Sequence, residues 1–176
     1  MLERRSALAG VKPISGGRVS LGEVRGFTLT QAAALDDAGL PAVAAILGEL
    51  PRHPHCGETS GRRIFHTAPR QYWIVGPEGD DIGRRLAGAA IVTPLSHSRT
   101  RLFIEGPAAQ EMLAKVTEID LHETVFKPGM FAMAGLHHTP ILLHRVTAAR
   151  FEIYAMRTFA LNAWEVLTDA ALEYLA

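Results

Sequence analysis

The segment from Met130 to Met156 leaves the chain little choice of fold. Three short apolar-rich stretches there read as strands, about Met130 to His137, Pro140 to Thr147 and Arg150 to Met156, with the alternation of apolar and polar residues clearest in the last. Period two marks a half-buried strand. The joins are too short for a helical crossover, so neighbouring strands must run antiparallel. Ala148-Ala149 forms the tip of the last hairpin without the favoured Gly or Asn. A helix is then expected from Leu161 to Leu175, because Ala163, Val166, Leu167, Ala170, Ala171 and Tyr174 fall on one stripe.

Upstream, Arg18 to Glu23 reads as a short strand and Val24 to Ala34 as a second. Asp36-Asp37 with Pro41 signals the start of a helix running to Leu50, where Pro51 stops it. Arg52 to Gly61 is a loop by composition. Arg62 to Val75 reads as one strand, with Pro69 as a point of interruption. A short helix follows at Asp80 to Leu86, then a strand at Ala89 to Leu95. The pattern restarts with Leu102, Phe103 and Ile104. Gly106-Pro107 turns that strand into a helix from Pro107 to Lys115. This order predicts an α+β fold of two small lobes, each an antiparallel sheet packed with helices. The expected divisions are an irregular tail at 1–17, a first lobe at 18–95 and a second at 96–176. In the tail, Leu8, Val11 and Ile14 are available to dock.

At 176 residues, with 48% hydrophobic and 20% charged, such a chain can bury a core without a metal or a disulfide. Lys plus Arg and Asp plus Glu are both 18, so the basic footprint of a nucleic-acid binder is missing. The most apolar run, Leu40 to Leu50, is too short to cross a bilayer. A lone cysteine, Cys56, argues for a reducing, cytoplasmic setting with no membrane partner.

Few clusters offer chemistry. His53-Pro54-His55-Cys56 places three metal-capable side chains together, but no second pair completes a site and a solvated loop is the simpler reading. His137 and His144 would face one another across a hairpin, without a third ligand. Ser96 and His97 are sequence neighbours, which a strand points to opposite faces, and no nucleophile elbow surrounds them. Gly16-Gly17 and Gly76-Pro77-Glu78-Gly79 match no phosphate-binding fingerprint. No catalytic, cofactor-binding or metal residue is assigned. Arg99, Arg101, Arg145 and Arg157 are the candidate partner contacts, since arginine is enriched at interfaces.

One stretch carries more. Leu95-Ser96-His97-Ser98-Arg99-Thr100-Arg101-Leu102-Phe103-Ile104-Glu105-Gly106-Pro107-Ala108-Ala109 follows the pattern L-S-x-x-R-x-x-x-x-I-x-G-P-x-A. Ile119-Asp120-Leu121, Phe126-x-x-Gly129 and Phe151-x-Ile153-x-x-x-Arg157-x-x-Ala160 come after it, and Ser6-Ala7-Leu8-Ala9-Gly10 precedes it. In order and spacing these resemble the gamma subunit family of heterotetrameric sarcosine oxidase. More distantly they resemble the folate-binding domain of glycine-cleavage aminomethyltransferases. The resemblance implies a structural, non-catalytic subunit of a cytoplasmic complex that oxidises sarcosine to glycine. It places FAD, FMN, NAD and tetrahydrofolate on the larger alpha, beta and delta subunits and none on this chain. The alternative it leaves is a stand-alone folate-binding, aminomethyltransferase-like protein. Two departures bear on that alternative: the chain is half the length of those enzymes, and it has no cysteine near Phe126 to Gly129.

Overall fold

The structure, a computed structural model, describes residues 5–176. In chain order the strands and helices are β1 (Ile14–Gly16), β2 (Val19–Val24), β3 (Phe27–Ala33), α1 (Leu40–Leu47), β4 (Gly57–Thr59), β5 (Arg62–Ala68), β6 (Gln71–Pro77), α2 (Ile82–Leu86), β7 (Ile91–Pro94), β8 (Arg99–Glu105), α3 (Ala109–Ala114), β9 (Phe131–Leu136), β10 (Thr139–Arg145), β11 (Arg150–Met156) and α4 (Ala160–Ala171). They form two compact units. One joins the chain up to Arg25 with Ser98–Ala176; the other is Gly26–His97.

The first unit holds a six-stranded sheet in the order β1-β2-β8-β11-β10-β9, antiparallel throughout. Ile104 of β8 lies opposite Leu21 of β2 on one side and Phe151 of β11 on the other. With Leu102, Ile153, Ile141 and Leu143 these side chains make one apolar face. Ala109, Met112 and Leu113 of α3 cover it with Ala160, Ala163, Trp164 and Leu167 of α4. The expected stripe on the last helix is present, with Val166 and Ala170 on its half-buried flank. Gly106 stands where the sequence places a sharp entry to α3. Its φ of +133°, and an added Cβ 2.4 Å from the Arg18 carbonyl oxygen, leave room for glycine alone. That same carbonyl accepts the Ala108 N–H at 3.1 Å.

The expected domain divisions need correction. β2 pairs with β8, so residues 18–25 belong with the second half rather than with a first lobe at 18–95. The tail at 1–17 is not wholly irregular either. It contains β1, and Leu8 is buried in the core with Val11 and Ile14 packed against it. Pairing between distant strands, which no local pattern encodes, draws this N-terminal segment across.

In the second unit a five-stranded antiparallel sheet runs β4-β5-β6-β3-β7. Val43 and Leu47 of α1, with Ile82 and Leu86 of α2, pack onto Ala32, Ile64, Tyr72 and Ile74. The single strand expected over Arg62 to Val75 is a hairpin, β5 and β6, with Ile64 opposite Ile74. Its turn carries Arg70 at a φ of +59°, a conformation costly outside glycine and asparagine. The loop expected at Arg52 to Gly61 contains the short edge strand β4.

One ion pair fastens this unit. Arg62 donates Nε and Nη2 to the two carboxylate oxygens of Asp80, both at 2.6 Å. Asp80 Oδ1 also accepts the Ile82 N–H at 3.2 Å, at the front of α2. The Asp80 side chain is almost fully buried, yet the Arg62 hydrogen bond outweighs that burial and holds its carboxyl below the usual range. Gly76 is required beside it, because a Cβ there would lie 2.0 Å from Asp80 Oδ2.

Asp80→Asn should therefore destabilise the second unit by about 3 kcal/mol near neutral pH, the scale for leaving a buried guanidinium without its charge partner. A depressed folded-state pKa contributes stability that is complete above the unfolded value, near 3.9, and is lost as pH falls through the folded one. The wild type should thus lose this contribution below about pH 4, and the variant should show a flatter acid limb. Denaturation followed by Trp73 fluorescence in a Trp164→Phe background reads the effect. Equal midpoints for the two proteins at pH 7 would refute the role given to this pair.

Candidate functional site

The four arginines singled out as partner contacts separate into two kinds. Arg101 is committed to the sheet. Its Nε and Nη2 donate to Glu152 of β11 at 3.0 and 2.9 Å, and Tyr154 donates its hydroxyl to the same carboxylate at 3.2 Å. Glu152 is 1% exposed. A carboxylate so enclosed is tolerated because three charge-assisted or hydroxyl bonds replace its water.

Arg145 is the one expectation here that burial overturns. It is 2% exposed and offers nothing to a partner. Nη1 donates to the carbonyls of Leu121 and Phe126 at 3.1 and 2.7 Å, and Nη2 to Gln110 Oε1 and the Ala148 carbonyl at 3.1 and 2.9 Å. The fork thereby ties together α3, the loop before β9 and the tip of the β10–β11 hairpin. Burial lowers its pKa, with the Glu123 charge acting in the opposite sense. Nothing in a single sequence distinguishes such an arginine from a solvated one.

Arg99 and Arg157 remain toward the surface, at one corner of the sheet. Arg99 is half-buried, lies opposite Met156 in register, and has its pKa lowered by desolvation. Arg157 is exposed, follows Met156, and donates its backbone N–H to the Ser98 carbonyl at 2.9 Å and its Nη2 to the Arg5 carbonyl. The strand pairing thus brings two arginines distant in sequence to one place.

The other clusters do not assemble. Among the described residues no three His, Cys, Asp or Glu side chains gather as a metal would require. His55 lines an open pocket of about 730 Å³ in the second unit, with Glu49, Arg52 and Glu58. His66 lies in β5, stacked on Tyr72 with ring centroids 4.9 Å apart. His137 does not face His144, a correction to the hairpin reading: His137 sits in the β9–β10 turn at a φ of +49°, and His144 lies opposite Phe131 and Glu152. Ser96 Oγ is occupied by the Leu29 backbone, accepting its N–H at 2.9 Å.

Neither glycine turn fits a phosphate-bearing cofactor. A Cβ on Gly17 would meet the carbonyl oxygens of Tyr174 and Ala176 at 2.5 and 2.6 Å, and the space beside Gly76 belongs to the Asp80 carboxylate. Oxygen atoms of partial or full negative charge fill both places, where a phosphate needs N–H donors.

No family model matches the chain. Sarcosine oxidase subunit gamma of Corynebacterium sp. strain P-1 is 27% identical over 167 residues, which is 92% of this chain and 73% of that protein. Its counterpart from strain U-96 is 30% identical over 149 residues, 82% of this chain and 69% of that protein. Among solved structures, a chain of the heterotetrameric sarcosine oxidase of Corynebacterium sp. U-96 matches with a TM-score of 0.89 and 28% identity, covering 98% of this chain and 97% of its own. The glycine cleavage system aminomethyltransferase T of Bartonella henselae shares the fold at a TM-score of 0.60 and 18% identity, covering 86% of this chain but 46% of its own.

The two kinds of arginine should respond differently to truncation. Arg145→Ala leaves buried carbonyls without a donor and should cost about 3 kcal/mol or more. Arg157→Ala removes an exposed side chain and should stay within about 0.5 kcal/mol of wild type. Urea titration followed by Trp164 fluorescence separates them, and an Arg145→Ala midpoint equal to that of wild type contradicts the internal role.

Proposed function

The chain belongs to the sarcosine oxidase gamma subunit family, and from that premise we propose that it is a non-catalytic subunit of a cytoplasmic complex that demethylates sarcosine oxidatively to glycine. In this reading the larger alpha, beta and delta subunits carry FAD, FMN, NAD and tetrahydrofolate. This chain supports them and holds none itself. The observation that carries the reading is the match to a heterotetramer chain over nearly the full length of both partners.

The local chemistry supports it. The carboxylates of Glu152 and Asp80 and the hydroxyl of Ser96 are each engaged by the chain's own groups. Asp80 and Ser96 border an open pocket of about 470 Å³, but their oxygens are taken up there by Arg62 and by the Leu29 backbone rather than left for a substrate. Among the described residues no helix is long and apolar enough to cross a membrane. The stand-alone aminomethyltransferase-like alternative is disfavoured, because the sarcosine oxidase chain matches at a TM-score of 0.89 and 28% identity against 0.60 and 18% for the aminomethyltransferase.

Tagged chain purified from its native host should bring larger subunits with it, identified by mass, and a flavin absorbance near 450 nm. The purified assembly should consume oxygen when given sarcosine. A colourless chain recovered alone contradicts the proposal.

A further inference from the structure

The helices of the second unit leave part of their sheet face uncovered. Thr30 of β3 lies opposite Pro94 of β7, and Ala32 opposite Val92. Alternation therefore puts Thr28, Thr30, Ala32, Val92 and Pro94 on one face. Ala32 is packed beneath α1 and α2. Toward Thr28 the face opens instead into the pocket of about 470 Å³, which Asp81, Gly83 and Arg84 of the α2 segment also line. That volume falls in the range of small-ligand sites, roughly 300–1,000 Å³.

Two features of the pocket have no use in the fold itself. Thr30 is 3% exposed, yet among the described residues its hydroxyl has no hydrogen-bond partner. A polar group withdrawn from bulk water is costly unless paired, so this one takes its partner from whatever fills the pocket. Gly83 lies across from it. A Cβ there would stand 3.4 Å from Val92 Cγ1 and 3.8 Å from Thr30 Oγ1, ordinary contacts that clash with nothing but narrow the space over Thr30. Gly83 is also not among the glycines of positive φ. Neither strain nor crowding calls for glycine at this place, and in a helix it is a poor former.

The charges on the lining select the ligand. Asp81 and Arg84 are exposed and stand three residues apart at the start of α2, a spacing that puts side chains side by side. Among the described residues neither side chain has an ion-pair or hydrogen-bond partner; Asp81 acts on Arg62 only through its field. Asp80, the third charge there, is spent on Arg62. A phosphate dianion is repelled by Asp81 and a simple cation by Arg84, whereas a zwitterion satisfies both. We propose that this pocket binds a free α-amino acid with a short apolar side chain. Arg84 takes the carboxylate, Asp81 and the Thr30 hydroxyl take the ammonium, and Val92 and Pro94 meet the side chain. The site does not depend on the subunit reading.

The full-length chain is titrated with L-valine and with two of its fragments, isovalerate, which lacks the ammonium, and isobutylamine, which lacks the carboxylate. Backbone amide NMR shifts report both the affinity and the place. L-Valine should saturate in the millimolar range and move the Thr30 and Gly83 amides, and each fragment should bind at least about tenfold more weakly. Arg84→Gln and Asp81→Asn should each weaken L-valine at least about tenfold. Thr30→Val keeps the shape and removes the hydroxyl, so it should weaken binding severalfold without lowering the unfolding midpoint. Glu165→Gln, an exposed site in the other unit, is the control and should bind as wild type does. No saturable shift at tens of millimolar L-valine overturns the proposal. So does isovalerate or isobutylamine binding as tightly as L-valine, or folded Arg84 and Asp81 variants that bind as wild type does.

Discussion

The pairing of β8 with a strand on either side governs the first unit. β2 and β11 both take their register from it, so that Leu21, Ile104 and Phe151 form one row on one face. Side chains alternate with a period of two residues, so a slip of one would turn that row away from α3 and α4. It would also move Glu152 from beside Arg101 into the apolar core, where a carboxylate has no donor. Apolar burial on one face and the Arg101–Glu152 bond on the other thus enforce the same register. Gly106 adds a third restraint, because its backbone must pass against the Arg18 carbonyl at the end of β2.

Local pattern made much of this visible. The strands from Phe131 onward and the stripe of α4 were legible because each rests on periodicity within a dozen residues. What stayed hidden depends on distance along the chain. β2 reads equally well as a strand of either lobe; its allegiance follows from pairing with residues far downstream. The β5–β6 hairpin was concealed by its turn, where Arg70 adopts a positive φ that would ordinarily announce itself as glycine or asparagine.

The same distinction applies to the arginines. Arg145 and Arg157 look alike as letters, yet one is enclosed by four oxygen acceptors and the other lies on the surface. Sequence offers no signal for the enclosure, because the acceptors include backbone carbonyls, which every residue carries. The corner joining Arg99 to Arg157 is likewise a product of the β8–β11 register. Family likeness carries the proposed role of the chain; the separation of internal from outward-facing cations came only from the fold.

The first unit is assembled from both ends of the chain, with the whole of Gly26–His97 placed between its halves. During synthesis the inserted unit is complete before β8 leaves the ribosome. β2 emerges early with only the short β1 beside it, and its other edge must wait until β8 arrives. Prior folding of the insert shortens the effective span that β2 must close, lowering the entropic cost of meeting β8. A defect confined to the insert therefore becomes a delay in completing the other unit. For that interval it leaves one strand edge open to the wrong neighbour.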